Sequence, residues 1–120
     1  MDESQLEAFR KLLLEKREAV VQRARATMEK EMTLDSADLP DEMDLASSEY
    51  MQAFTFRLRG RDRVFLQKIE KALQKIDEGE FGLCEDCGEL IGIKRLEARP
   101  ETEFCIRCKE DQERQEREYR

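Results

Sequence analysis

The sequence predicts a mainly α fold: a long antiparallel coiled-coil hairpin on a small four-cysteine base, followed by a C-terminal helix. Three observations carry this expectation. Two long stretches repeat apolar residues at helical spacings, a short connection of about ten residues joins them, and all four cysteines fall between Cys84 and Cys108. With 42% charged against 39% apolar residues in 120 positions, one round core cannot be filled, so an elongated molecule is expected.

The first helix is read from Leu6, Phe9, Leu13, Val20, Ala24 and Met28, with Lys, Arg, Glu and Gln between them. Running from about Ser4 to about Met32, it would be on the order of 40 Å long at 1.5 Å per residue. Met51, Leu58, Phe65, Ile69, Ala72 and Ile76 repeat at three and four, the seam of a coiled coil, and place the second helix roughly over Leu45 to Asp77. Each helix exposes a stripe it cannot bury alone, and the short link lets the two fold back on each other. That link, TLDSADLPDEMDLAS, makes the tip of the hairpin near 34–46, where Asp, Ser and Pro40 stop one helix and Asp41 to Asp44 cap the next. Gly60 interrupts the second helix at a cost of about 1 kcal/mol relative to Ala, which predicts weak local order or a bend. Gly79 and Gly82 release the chain into the cysteine module, and KEDQERQEREYR after Cys108 reads as a polar final helix with a frayed end. Two parts follow, a helical hairpin over 1–80 and a cysteine module with its C-terminal helix over 81–120.

Charge narrows the function. The net charge of −7 disfavours a continuous basic surface for bare nucleic acid, and no apolar run reaches the roughly 20 residues of a membrane span. The start MDESQLEAFR is acidic rather than the basic flank of a leader, so a cytoplasmic location is expected. Between Glu31 and Phe56 there are seven acids and no Lys or Arg, whereas Arg57, Arg59, Arg61, Arg63, Lys68, Lys71 and Lys75 face only Asp62 and Glu70. An acidic tip on a basic shaft would dock tip-first into a positively charged or metal-containing opening. The absence of histidine removes imidazole chemistry altogether.

Cys84-x-x-Cys87 and Cys105-x-x-Cys108, with seventeen residues between, have the spacing of a four-cysteine zinc site. Gly88, directly after the second cysteine, suits a sharply turned knuckle. Redox Cys-x-x-Cys pairs or buried thiols are the alternatives. Four thiolates would close the coordination sphere, which makes the metal structural, one zinc per chain, and the base a zinc finger. Asp41, Glu42 and Asp44 are either helix caps or a carboxylate group for metal or acid/base work, with capping favoured by composition. Lys and Arg on the shaft read first as a solvated helix face. Together with Lys94, Arg95, Arg99 and Lys109 they could also hold a polyphosphate, which spacing alone does not show.

The tip PDEMDLA contains Asp-x-x-Asp-x-Ala as Asp41, Asp44 and Ala46, followed by RDR, KIEKAL and then FGLCEDCGELIGIKRLEARPETEFCIRC. In this order and spacing the chain resembles the DksA/TraR family of bacterial transcription regulators along nearly its whole length. Longer members carry an extension before the first helix, which here begins almost at Met1. The resemblance implies a monomeric non-enzyme that binds RNA polymerase rather than a DNA sequence or a membrane. Its coiled coil would enter the secondary channel and bring the tip acids near the catalytic centre, tuning initiation. It implies functional tip positions Asp44 and Ala46, with Asp41 the accompanying acid of the motif, a polymerase contact at Arg61, and a site for the alarmone ppGpp shared with the polymerase at Lys68, Arg99 and Lys109. Two other classes remain beside it: a thiol or zinc-dependent enzyme, which bound zinc without free thiols would exclude, and a nucleic-acid-binding zinc ribbon, which the acidic balance disfavours.

Overall fold

A computed structural model describes residues 1–31, 48–58 and 60–118, with side chains for 1–27, 52–58 and 60–118, as five helices. They are α1 (Glu3–Glu31), α2 (Ser48–Arg57), α3 (Gly60–Glu78), α4 (Ile93–Ala98) and α5 (Ile106–Glu118). The mainly α class is the one that the apolar periodicity predicts. Among the described residues the β structure amounts to one isolated antiparallel bridge, Leu83 to Leu90. No described helix is long and apolar enough to cross a membrane. The chain forms two compact units, Met1–Leu13 with Lys68–Arg120 and Leu14–Gln67.

In the first unit α1 opens on a reciprocal cap. The Gln5 N–H donates to Asp2 Oδ1 at 2.8 Å while the Asp2 N–H donates to Gln5 Oε1 at 3.2 Å, so two donors that lack helical partners are satisfied. Phe9 and Leu13 of α1 and Ile69, Ala72, Leu73 and Ile76 of α3 are buried here. The Phe9 ring lies 5.3 Å from that of Phe81, and Arg10 Nη2 donates to Asp77 Oδ1 at 2.8 Å. First turns of α1 therefore meet last turns of α3, as antiparallel pairing requires. Helix α3 ends in a Schellman turn, in which the Glu80 N–H reaches Lys75 O (2.8 Å) and the Gly79 N–H reaches Ile76 O (3.2 Å). Phe81, Cys84, Ile91, Leu96, Pro100 and Cys108 then carry the buried apolar set into the cysteine module.

In the second unit Val20, Val21 and Ala24 of α1, Phe54 of α2, Leu58, and Leu66 of α3 are buried. Arg23 Nη2 pairs with Asp62 Oδ1 at 2.6 Å, and the Arg63 guanidinium stands 5.0 Å from the centroid of the exposed Phe56 ring.

The second expected helix is two helices. The chain leaves α2 at Arg57, where the Leu58 N–H bonds back to Thr55 O, and α3 restarts at Gly60 with φ +66°. That conformation strains any residue with a Cβ, so the glycine foreseen as a bend is a break. A break also resets helical phase. Counting on from Met51 and Leu58 places Phe65 in the seam, whereas Leu66 is the fully buried residue and Phe65 is half-buried. In α1 the buried set gains Val21, while Leu6 is half-buried. The expected tip, with Asp41, Asp44 and Ala46, lies outside the described residues.

Leu66→Ala should lose about 2 to 5 kcal/mol of unfolding free energy in denaturant titrations, and Phe65→Ala clearly less. Equal losses would return Phe65 to the seam. Nothing lies within 4 Å of a Cβ built at Gly60, so Gly60→Ala should cost about 1 kcal/mol for backbone conformation alone. A higher melting temperature for that variant would show that the break does not need the left-handed residue.

Candidate metal centre and the charges around it

The first knuckle is a tight hairpin. Ile91 N–H donates to Gly82 O (2.7 Å), Cys84 N–H to Glu89 O (2.8 Å) and Gly88 N–H to Cys84 O (3.0 Å), with Gly88 at φ +75°. Glycine is needed there because the chain reverses directly after Cys87. The second knuckle uses the start of α5: Cys105 precedes the helix, Cys108 lies in its first turn, and the Lys109 N–H closes on Cys105 O at 3.0 Å. Unpaired N–H groups at a helix start favour a thiolate.

The segment between the knuckles is braced by α4. Its Leu96 is fully buried, and Arg95 Nε donates to Phe104 O at 3.0 Å while Nη2 reaches Thr102 Oγ1 at 3.4 Å. Arg95, an anion candidate by composition, thus fixes the backbone just before Cys105. Across the knuckles the Glu85 N–H donates to Glu103 O at 2.9 Å.

As a result the Sγ atoms of Cys84, Cys87, Cys105 and Cys108 all lie within 4.8 Å of one another. Cys87 and Cys105 are separated by 3.8 Å, far from a disulfide bond. Tetrahedral zinc with Zn–S near 2.3 Å holds its sulfurs about 3.8 Å apart, so four thiols within 4.8 Å of one another, one pair already at 3.8 Å, suit one zinc ion and leave no coordination position open. Cys84 and Cys108 are buried, Cys105 is half-buried and Cys87 is exposed. Burial works to raise the Cys84 thiol, yet backbone donors from Cys87, Cys105 and Asp86 bring it down to about 6. Burial and the neighbouring thiols, Cys105 foremost, push Cys108 up instead. Crowded sulfurs cannot all ionise without a cation among them.

Two shaft lysines turn toward this centre. Lys71 Nζ lies 2.6 Å from Glu85 Oε1 and 3.5 Å from a Glu103 carboxylate oxygen, and Lys75 Nζ lies 2.7 Å from Glu85 Oε1. The two ammonium groups hold the Glu85 carboxyl below the usual carboxylate range. Neither glutamate is singled out by the sequence reading. The signal available was their position, one residue after Cys84 and two before Cys105.

Of the other expected site residues, Arg61 is exposed in the first turn of α3, Lys68 is exposed further along it, Arg99 is exposed just after α4, and Lys109 is half-buried in α5. Lys68 borders a narrow cleft with Lys71, Lys75 and Glu101. Arg99 borders an open depression of about 700 Å³ with Leu90, Ile106 and Arg107, beside Cys105. Lys109 is on the wall of neither. Among the described residues the side chains of Lys68, Arg99 and Lys109 make no ion pair.

Helices leading into two Cys-x-x-Cys knuckles that meet at one four-thiol centre define a helical protein with a four-cysteine zinc-finger module. Two family sequence models match in succession, the DnaK suppressor protein DksA N-terminal domain over residues 5–76 and the prokaryotic dksA/traR C4-type zinc finger over 79–114. The chain belongs to the DksA/TraR family. It is 43% identical over 112 residues to the RNA polymerase-binding transcription factor DksA of Haemophilus influenzae, covering 91% of this chain and 74% of that protein. The protein of the same name in Escherichia coli K12 is 41% identical, covering 91% and 72%. Transcription factor DksA2 from Pseudomonas aeruginosa superposes with a TM-score of 0.71 at 39% identity, covering 98% of this chain and 89% of that one.

Metal affinity should fall with pH, because binding to the four cysteines displaces protons from their thiols. Chelator competition at a series of pH values measures this, and a pH-independent affinity would mean that the ligands are not thiols. Zinc should protect all four thiols from a thiol reagent and its removal should raise their reactivity, whereas a cysteine that reacts equally fast with and without zinc would point to a smaller ligand set.

Proposed function

We propose that the chain binds RNA polymerase as a non-catalytic regulator, entering the secondary channel with its acidic tip and modulating initiation. The carrying observation is the family match, which runs through helices and zinc finger without a gap longer than two residues. In this reading the chain works as a hairpin over 1–80 that delivers the tip and a zinc-finger module over 81–120 that anchors it in the cytoplasm's transcription machinery. Zinc at Cys84, Cys87, Cys105 and Cys108 is structural, since four thiolates leave no site for water or substrate. The molecule acts as a monomer and reads no DNA sequence of its own.

The tip residues Asp41, Asp44 and Ala46 act at the polymerase centre and Arg61 contacts the polymerase along the shaft. Lys68, Arg99 and Lys109 supply cations to a ppGpp site completed by the polymerase. Their availability supports this assignment: Lys71, Lys75, Arg10 and Arg23 are committed to carboxylates and Arg95 to a backbone carbonyl, whereas these three side chains are unpaired among the described residues. Charge-assisted contacts of about 1.5 to 3 kcal/mol each suffice for a shared site but not for tight binding to the isolated chain.

Asp44→Asn should bind purified bacterial RNA polymerase like the parent but fail to regulate a sensitive promoter in transcription assays. A variant that regulates normally would remove the tip from the mechanism. Lys68→Ala, Arg99→Ala and Lys109→Ala should each weaken ppGpp binding to the protein–polymerase complex by roughly tenfold or more. Three variants that bind like the parent would sink the shared site.

A further inference from the structure

Lys71 and Lys75 are one turn apart on α3 and therefore share a face. Both meet Glu85, at 2.6 and 2.7 Å, and Lys71 also meets Glu103 at 3.5 Å. The two glutamates belong to different knuckles, Glu85 beside Cys84 and Glu103 two residues before Cys105. They are already joined through the backbone by the Glu85 N–H on Glu103 O. We propose that Lys71 and Lys75 are positioning residues of the metal centre: this face of α3 clamps the two cysteine knuckles together through Glu85 and Glu103. The proposal rests on the reading of the four cysteines as a zinc site.

The electrostatics give the clamp its purpose. A divalent ion on four thiolates leaves a net charge of minus two, and Glu85, Asp86, Glu89 and Glu103 add acids on the flanks of both knuckles. Like charges would drive the knuckles apart, and a cation that touches both opposes this. Exposed ion pairs contribute little, but the side chains of Lys75 (17% exposed), Glu103 (20%) and Glu85 (28%) are poorly screened. Lys71 is more exposed at 48% and is the one lysine here that reaches both glutamates. Lys75 should therefore weigh more in affinity per contact and Lys71 in holding two knuckles at once. Partners outside the ligand shell that orient metal ligands commonly account for roughly 10- to 100-fold in affinity.

The test uses the full zinc-loaded chain in competition with a chromogenic chelator. The double variant Lys71→Met with Lys75→Met keeps the apolar stems and should lose zinc affinity by roughly 10- to 100-fold, with helical circular dichroism of the loaded protein unchanged. Lys71→Arg with Lys75→Arg should recover most of it. Asp77→Asn cuts the Arg10 pair elsewhere on α3 and should leave affinity at the parent value, which separates the clamp from general loosening of the helix. Should the double variant unfold, each single Met variant must speed zinc loss to the chelator. Parent-like affinity in the double variant, or an equal loss in Asp77→Asn, overturns the clamp. A parent that takes up no zinc overturns the metal reading itself, and elemental analysis of the parent tells the two failures apart.

Discussion

Four sulfur atoms within 4.8 Å are the constraint on which the base of this protein depends. The module has little else to hold it, since its described secondary structure is one β-bridge, the six-residue α4 and the start of α5. Its apolar contribution is a handful of side chains, with Leu96 and Pro100 the two most deeply buried. Bringing four ionisable thiols together is unfavourable without a cation, and with one it becomes the source of folding free energy. The hydrogen bonds of the knuckles, the Arg95 brace and the Glu85 to Glu103 link all fix the direction of a cysteine. They hold the backbone beside the cysteines in place for the four metal–sulfur bonds.

How much of this was legible in the sequence follows the range of each interaction. The cysteine centre was readable because Cys-x-x-Cys is a local motif whose chemistry forces two copies together. The helices were readable because an apolar stripe needs only a neighbour, whatever its identity. The phase of α3 was not, because one left-handed residue at Gly60 resets the count and the reset is invisible to a periodicity carried through it. So Leu66 replaced Phe65 in the buried set. The roles of Lys71, Lys75 and Arg95 were hidden for a different reason: a lysine or an arginine on a helix looks solvated until the fold supplies a carboxylate or a carbonyl.

That distribution of partners also separates two kinds of basic residue that composition merges. A cation already held by a carboxylate has lost part of its hydration and gained a partner, so an incoming phosphate would have to displace that partner. Lys71, Lys75, Arg10 and Arg23 are of this kind. An unpaired surface cation can meet a phosphate at the cost of water alone. Lys68 is instructive because it shares its helix and its cleft with both clamp lysines yet makes no ion pair among the described residues. One helix face therefore carries two cations paired with the carboxylate beside Cys84 and a third, Lys68, that makes no such pair. On such a helix the cations paired with Glu85 differ from Lys68 in what an incoming anion would have to displace, although all three border one cleft.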